Sequence, residues 1–490
     1  MLALLFAAAL AEPPPGPHAW QAAAPPPPPP STGPVLPPGR RPSSTVYGYH
    51  AYWTGSPLDI DFSRLTHVAV FNVELAADGS LSATSRWTDV AGDLVPLAHG
   101  YGTKVHLCVT SFDDSVTNAV LSSASRREAA ASALQALVED YGADGVNVDI
   151  EGLDASQRDN MTAFVAELAA AVGEVYVATP AIDWSDAYDY AALAAASDGL
   201  FIMGYDYHWG GGDPGPIAPL RGGSPWSDHA LDWTVADYRS TGVPDDKLVL
   251  GLPLYGRQWS TDSSDVPGTS TGSSTAFLMY SALEEATARG SLYDTVTSTP
   301  YILEDDSQLW FDDIASVRDR IAYGIDEGLQ GVGFWALQYE GDPATFWAMV
   351  SEETAPPGDT GGGGNDNVAP VALAGLPILA YPGDTVILDG SPSYDEDGTI
   401  AAYAWTLDAG PEATIERADT PRPRMTVPAA GVYTVRLTVT DDGQATGEDT
   451  MSVIVADPAA GERYGGCAAA PLVGVWWIGV VGVLARRRDG

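Results

Sequence analysis

The chain has 490 residues, a length that accommodates roughly two to four domains. Lys and Arg total 23 against 65 Asp and Glu, a formal charge of −42, which disfavours nucleic acid and anionic membrane surfaces as partners. Hydrophobic residues at 45% exclude a wholly disordered chain, and two cysteines, Cys108 and Cys467, exclude both a disulfide scaffold and a thiolate zinc site.

Residues 1–11 form a short apolar run ending in Ala9-Leu10-Ala11, the A-x-A pattern of a secretory signal peptide. Residues 12–42 are proline-rich, with an unbroken run from Pro25 to Pro30, and predict an extended polyproline-type spacer. A second linker, rich in Gly and polar residues, covers 355–367. Between the two, residues 43–354 alternate short apolar strands with helix-period segments. Strands are expected at 46–50, 67–73, 104–110, 145–151, 174–180, 199–206, 247–253 and 331–337. Eight such strands in β–α alternation predict an α/β fold, a (β/α)8 TIM barrel, with extra length between strands seven and eight at Gln258 to Asp313.

Residues 368–457 change character to short alternating strands. In YTVRLTVT, Val435, Leu437 and Val439 share one face while Thr434, Arg436 and Thr438 share the other, which suits a small, separate all-β sandwich. The segments SYDEDGTIAAYAW and GVYTVRLTVTDDG resemble the PKD-type immunoglobulin-like domain, an accessory module common in secreted polysaccharide hydrolases. Its acidic pairs Asp395/Asp397 and Asp441/Asp442 could in principle bind calcium, but Asp before Gly in tight turns is the commoner explanation. Residues 464–490 carry Gly-Gly-Cys, an uncharged span from Ala468 to Ala485 and the cluster Arg486 to Arg488. Together these resemble a bacterial C-terminal sorting signal, cut near Cys467 by a sorting protease; the alternative is a single-pass transmembrane anchor. Either places the folded domains at the cell surface or outside the cell.

The most informative stretch is Asp144-Gly145-Val146-Asn147-Val148-Asp149-Ile150-Glu151 on the fourth strand. Side chains alternate along a strand, so Asn147, Asp149 and Glu151 share a face and line the barrel interior at the end where barrel active sites sit. Burying two carboxyl groups and an amide there without function would be costly. An ionised Asp149 should raise the pKa of Glu151 and keep it protonated as a general acid, while the Asn147 amide should donate to Asp149. No second carboxylate on this strand is placed as a nucleophile.

The pattern D-G-x-x-x-D-x-E, with Met203-Gly204-Tyr205-Asp206 on strand six and Trp335 on strand eight, resembles glycoside hydrolase family 18, the chitinases and related N-acetylglucosaminidases. The likeness runs from Val46 to about Met349, and the stretch GYDYHWGGGDPGPIAPL looks most like its spore-cortex and peptidoglycan-lytic branch. The resemblance implies Glu151 as proton donor, Asp149 orienting the substrate's 2-acetamido group, and Tyr205 bonding that acetamide. Asp144, Asn147, Met203 and Asp206 would join the substrate-binding set, and Trp335 would form the floor of the sugar site. The implied reaction is retaining hydrolysis of β-1,4-linked N-acetylglucosamine polymers assisted by the substrate's own acetamide. Chitin or chitooligosaccharides are placed ahead of peptidoglycan, and a non-catalytic chitin-binding lectin is the rival. Position 147 is Asn where many members carry Asp, and Val109-Thr110-Ser111 stands where Ser-x-Gly-Gly is frequent. Trp53, Trp184, Trp209 and Trp259 are further sugar-platform candidates, and Cys108 reads as a buried thiol. No spacing among the seven histidines suggests a catalytic metal, so no metal or cofactor is expected, and the chain is expected to act as a monomer.

Overall fold

The computed structural model describes residues 42–341, 343–354 and most of 367–455, together with His18 and Gln21. Two compact units divide the chain, one up to Pro357 and one from Gly358. The expected signal segment 1–11, the expected linker 355–367 apart from Asn367, and the tail 464–490 lie outside the described residues.

The first unit is the expected barrel. Its strands are β1 (Thr45–Ala51), β2 (His67–Leu75), β3 (Lys104–Ser111), β4 (Gly145–Ile150), β5 (Glu174–Pro180), β6 (Gly199–Met203), β7 (Leu248–Pro253) and β8 (Gly331–Trp335). Consecutive strands pair in parallel, and β1 pairs with both β2 and β8, which closes the cylinder. Three strands stop short of their expected ends, β4 at Ile150 instead of 151, β6 at Met203 instead of 206 and β8 at Trp335 instead of 337. After Met203 the Gly204 amide turns back to the Ile202 carbonyl (2.8 Å) and Asp206 enters the left-handed region (φ 58°), so the ladder cannot continue.

β4 is buried at every position because one face fills the barrel and the other lies under helices. The helix Ala124–Tyr141 turns Arg127, Ala130, Ala131, Leu134 and Val138 inward at helical spacing and ends at Gly142, whose φ of 67° suits a glycine. Asp113 caps the helix that follows β3, its carboxylate accepting from the Ser115 and Val116 amides. The extra length before β8 builds a five-stranded antiparallel sheet, in the order 275–278, 255–260, 307–310, 299–303, 292–294, with the helix Met279–Arg289 between its strands in sequence.

A polar plug closes the N-terminal end. Nε2 of His67 and of His106 face Oε2 of Glu174 at 3.4 and 3.2 Å, and Lys104 pairs with its other oxygen. Burial works against the Glu174 charge, but hydrogen bonds from His106 and Lys104, with His67 facing the same carboxyl, outweigh it and hold the carboxyl well below its usual range.

In the second unit, strands 378–380, 446–455, 431–441 and 400–409 form one sheet, and 384–387, 424–427 and 414–416 form another. Val435, Leu437 and Val439 are buried with Trp405 and Met425, as the alternation predicts. Asp441 is buried and accepts from the Ala445 amide at 2.8 Å, a turn contact. Asp397 lies outside the described residues. Among the described residues no helix is long and apolar enough to cross a membrane.

Because folding depresses the Glu174 pKa, its contribution to stability is complete above the unfolded-chain value near ~4.3 and fades as pH falls below it. Glu174→Gln should therefore cost about 1–3 kcal/mol at pH 7. The gap to wild type should narrow at pH 3.5, as read by urea unfolding of both proteins.

Candidate active site

The C-terminal mouth of the barrel collects the inward-facing ends of β1, β2, β4, β6 and β8. Asn147 and Asp149 are fully buried on β4, and Glu151, immediately beyond it, is 4% exposed. The Glu151 amide donates to the Ser111 carbonyl at 3.2 Å, and Gly152 (φ 69°) then turns the chain away. Asp149 and Glu151 share a hydrogen bond, and burial pushes the Asp149 carboxyl well above the usual carboxylate range. This alters the expectation of a readily ionised Asp149, since burial favours its neutral form.

A ring from the leader lies over this pair. The His18 amide donates to Glu151 Oε1 (3.0 Å), its Nδ1 meets Asp149 Oδ2 (2.8 Å), and its Nε2 meets the Tyr205 hydroxyl (2.6 Å). The imidazole stacks on Trp335, with centroids 3.7 Å apart and planes inclined by 24°. Burial lowers the His18 pKa to about 4, against the pull of Glu151 and Asp206, so the ring is neutral. A neutral ring fits these partners when Nδ1–H donates to Asp149 and Nε2 accepts from Tyr205. Nearby, Gln21 Oε1 accepts from the Tyr339 hydroxyl at 3.3 Å. The leader expected to be a bare spacer thus contributes two buried residues.

The expected residues Asp149, Glu151, Tyr205 and Trp335 converge around one ring. Asp206 lies beside them, but its carboxylate is held by Arg257 through Nε (2.9 Å) and Nη2 (2.7 Å) and by the Tyr255 hydroxyl (2.8 Å). Met203 is buried at the end of β6, two residues before Tyr205. Asn147 does not donate to Asp149: its Oδ1 accepts from the Tyr49 hydroxyl (3.0 Å) and weakly from Cys108 (3.4 Å), while its Nδ2 has no hydrogen-bond partner. Same-face residues two apart are spaced for contact, but the Asn147 amide is turned with its Oδ1 to the Tyr49 hydroxyl on the facing strand, and its Nδ2 does not bond Asp149.

Asp144 is not part of this group. It precedes β4 at the opposite end of the barrel, accepting from the Val105 amide (2.7 Å) and facing His99 (2.8 Å). Strand polarity makes this unavoidable, since the six residues of β4 separate it from the mouth.

Thr110 accepts from Asn72 at 2.6 Å and Ser111 bonds Thr117 at 2.7 Å, so the unusual strand-three residues are tied up internally. Trp53 packs edge-on against Phe71 and Trp335 at the rim, Trp184 is 64% exposed and Trp209 is half-buried. Trp259 is core, donating to the Gly212 carbonyl (3.0 Å). Cys108 is buried as expected. Sequence reasoning missed His18, Tyr49, Arg257 and Tyr188, whose hydroxyl anchors the Ile150 carbonyl at 2.6 Å.

A closed parallel barrel whose C-terminal mouth gathers two coupled carboxyls and a tyrosine above a buried tryptophan defines a barrel glycosidase. Residues 45–340 match the model of Glycosyl hydrolases family 18, and residues 378–455 match a PKD domain model. The chain belongs to glycosyl hydrolase family 18. It is 28% identical over 291 residues to the "Putative sporulation-specific glycosylase YdhD" of Bacillus subtilis, a match covering 55% of this chain and 65% of that protein. It is likewise 28% identical over 224 residues to Chitinase C of Streptomyces lividans, covering 41% of this chain and 36% of the other. The chain thus spans less than two thirds of either relative. In three dimensions, the Group IV chitinase of Ostrinia furnacalis superposes with a TM-score of 0.59 at 19% identity, over 64% of this chain and all of that one.

Arg257 is 3% exposed and its partner Asp206 is confined between it and Tyr255. Arg257→Met should therefore strand a buried carboxylate and cost about 3–5 kcal/mol in urea unfolding. Arg257→Met combined with Asp206→Asn should recover much of that loss.

Proposed function

We propose that this protein is an exported hydrolase of β-1,4-linked N-acetylglucosamine polymers, chitin or chitooligosaccharides. We further propose a retaining reaction in which the substrate's acetamide is the nucleophile. The observation that carries this reading is the convergence of Asp149, Glu151 and Tyr205 on a single ring stacked against Trp335. A pyranose has a comparable flat apolar face for Trp335 and polar groups at its edge for the other three.

In this reading Glu151 gives its proton to the glycosidic oxygen as the bond to the anomeric carbon breaks. The acetamide carbonyl oxygen bonds to that carbon from the opposite face, forming an oxazolinium ion. Asp149 and Tyr205 orient the acetamide, and Asp149 stabilises its developing charge. Water then attacks the anomeric carbon, loses its proton to Glu151 and reopens the ring with net retention. Two features favour the acetamide over an enzyme nucleophile. Asp149 and Glu151 are hydrogen-bonded, too close for the ~5–5.5 Å separation of a carboxylate pair working across a bond. Asp206, the other nearby acid, is neutralised by Arg257.

The likeness to a sporulation glycosylase favours peptidoglycan as the second reading of the substrate. Comparing product release from chitin and from purified peptidoglycan decides between them. Export, and a C-terminal tail cut by a sorting protease or inserted in a membrane, belong to the same proposal.

Glu151→Gln should lower kcat on a fluorogenic di-N-acetylchitobioside by ~10²–10⁴-fold with the fold intact, because the amide cannot protonate the leaving oxygen. Near wild-type turnover would refute the assignment. First products should be of retained configuration by NMR, and a thiazoline analogue of N-acetylglucosamine should inhibit as a mimic of the cyclised intermediate. Inverted first products would exclude the acetamide route.

A further inference from the structure

We propose that His18 is a tethered self-inhibitor: the chain's own imidazole is the resting ligand of the sugar subsite and must leave before a substrate ring can enter. The inference rests on the reading of this pocket as the subsite for the reacting sugar.

The contacts are those of a ligand rather than of packing. A segment that merely covered apolar surface would present methyl and methylene groups to the mouth. His18 instead directs a backbone N–H to Glu151, one ring nitrogen to Asp149 and the other to Tyr205, while its face lies on Trp335. Every group assigned to the chemistry is engaged at once, and the ring is wholly buried. Occupation is mutually exclusive with substrate, because two rings cannot both lie 3.7 Å from Trp335 on the same face. Gln21 adds a second anchor, three residues on, at Tyr339, whose hydroxyl also accepts from Trp53 at 2.6 Å on the rim.

The tether is suited to reversible closure. His18 follows the expected signal cut at Ala11, so it stays with the exported chain. It is separated from Ser44 by 26 positions, which at ~3.1 Å per residue could span ~80 Å, ample to reach the mouth from the start of β1. Attachment keeps the ring near the site at high effective concentration without a covalent bond to it. Closure then acts as simple competition. If the site is closed nine-tenths of the time, KM rises about tenfold while kcat is unchanged, since saturating substrate displaces the ring. Cleavage of the leader would remove the competitor permanently.

The test compares the full chain with its His18→Ala variant on the fluorogenic di-N-acetylchitobioside, with thermal midpoints checking the fold. In parallel, calorimetry measures the affinity of each for tri-N-acetylchitotriose. The expected result is a KM lower by about tenfold or more in His18→Ala, kcat within about twofold, and a matching gain in affinity. A synthetic peptide of residues 12–24 should inhibit His18→Ala competitively, and the same peptide with Ala at 18 should not. Equal KM and equal affinity in the two proteins would overturn the proposal, as would a change confined to kcat. If neither protein turns over substrate but His18→Ala binds the trisaccharide more tightly, self-inhibition stands and the hydrolase reading falls. If neither turnover nor affinity distinguishes them, self-inhibition is refuted.

Discussion

Two carboxyl groups on one face of a strand that is buried on both sides impose the constraint from which the rest of the site follows. Asp149 has no water to support its charge, and Glu151 beside it is 4% exposed. Both cannot ionise cheaply in such a place, so a proton is retained between them. A retained proton is what the proposed role of Glu151 as general acid requires. The neighbouring polar groups are arranged so as not to add further uncompensated charge: Arg257 neutralises Asp206, and Tyr49 occupies the Asn147 carbonyl. Some polar atoms of the same residues are left without a hydrogen-bond partner. Asp149 Oδ1, Asn147 Nδ2 and the Trp335 indole N–H are all buried and unsatisfied by ordinary protein donors or acceptors. Orphaned polar atoms are costly in a core and are expected where a ligand supplies the missing half.

The opposite end of the barrel shows the contrast. There Glu174 gathers His67, His106 and Lys104, and Tyr47 bonds His106 at 3.0 Å, so the charge is balanced within the protein. The two ends use the same kinds of group in opposite ways. At the bottom a carboxyl is driven down by its partners, which stabilises the fold. At the mouth a carboxyl is driven up by burial, which costs stability and, in the proposed reaction, serves the chemistry. Such a division of labour is general for this architecture, whose chemistry sits at the C-terminal ends of the strands.

Much of this was legible in the sequence because it follows from period-two alternation. The eight strands read as continuous apolar runs, and Asn147, Asp149 and Glu151 fell on one face by counting alone. Asp144 was misplaced because a motif is a string, whereas a strand has two ends: the first letter of D-G-x-x-x-D-x-E lies at one end of the barrel and the last at the other. The Asn147 contact was misjudged because spacing along one strand says nothing about Tyr49, which arrives from a strand about 100 residues earlier. Arg257 and Tyr255 were invisible for the same reason; they enter from the insertion before β8 and find Asp206 only once the chain has folded.

His18 was the hardest to foresee. Composition marks 12–42 as a segment with too little apolar surface to form a core, and that inference concerns only whether it can fold by itself. A tethered ligand need not fold; it needs one residue whose shape and donors match a site that already exists. Imidazole meets that need unusually well here. It is flat enough to stack on an indole, it carries a donor and an acceptor on opposite sides of one ring, and it can shed its charge on burial, which Lys and Arg cannot do as cheaply. A carboxylate in the same place would meet Asp149 and Glu151 with like charge, and an amide lacks the aromatic face that Trp335 receives. In the proposed self-inhibited state the site is therefore closed by a neutral group whose polarity pattern matches that of the sugar ring it would exclude. For the same reason that site can release the ring to a substrate making more of the same contacts.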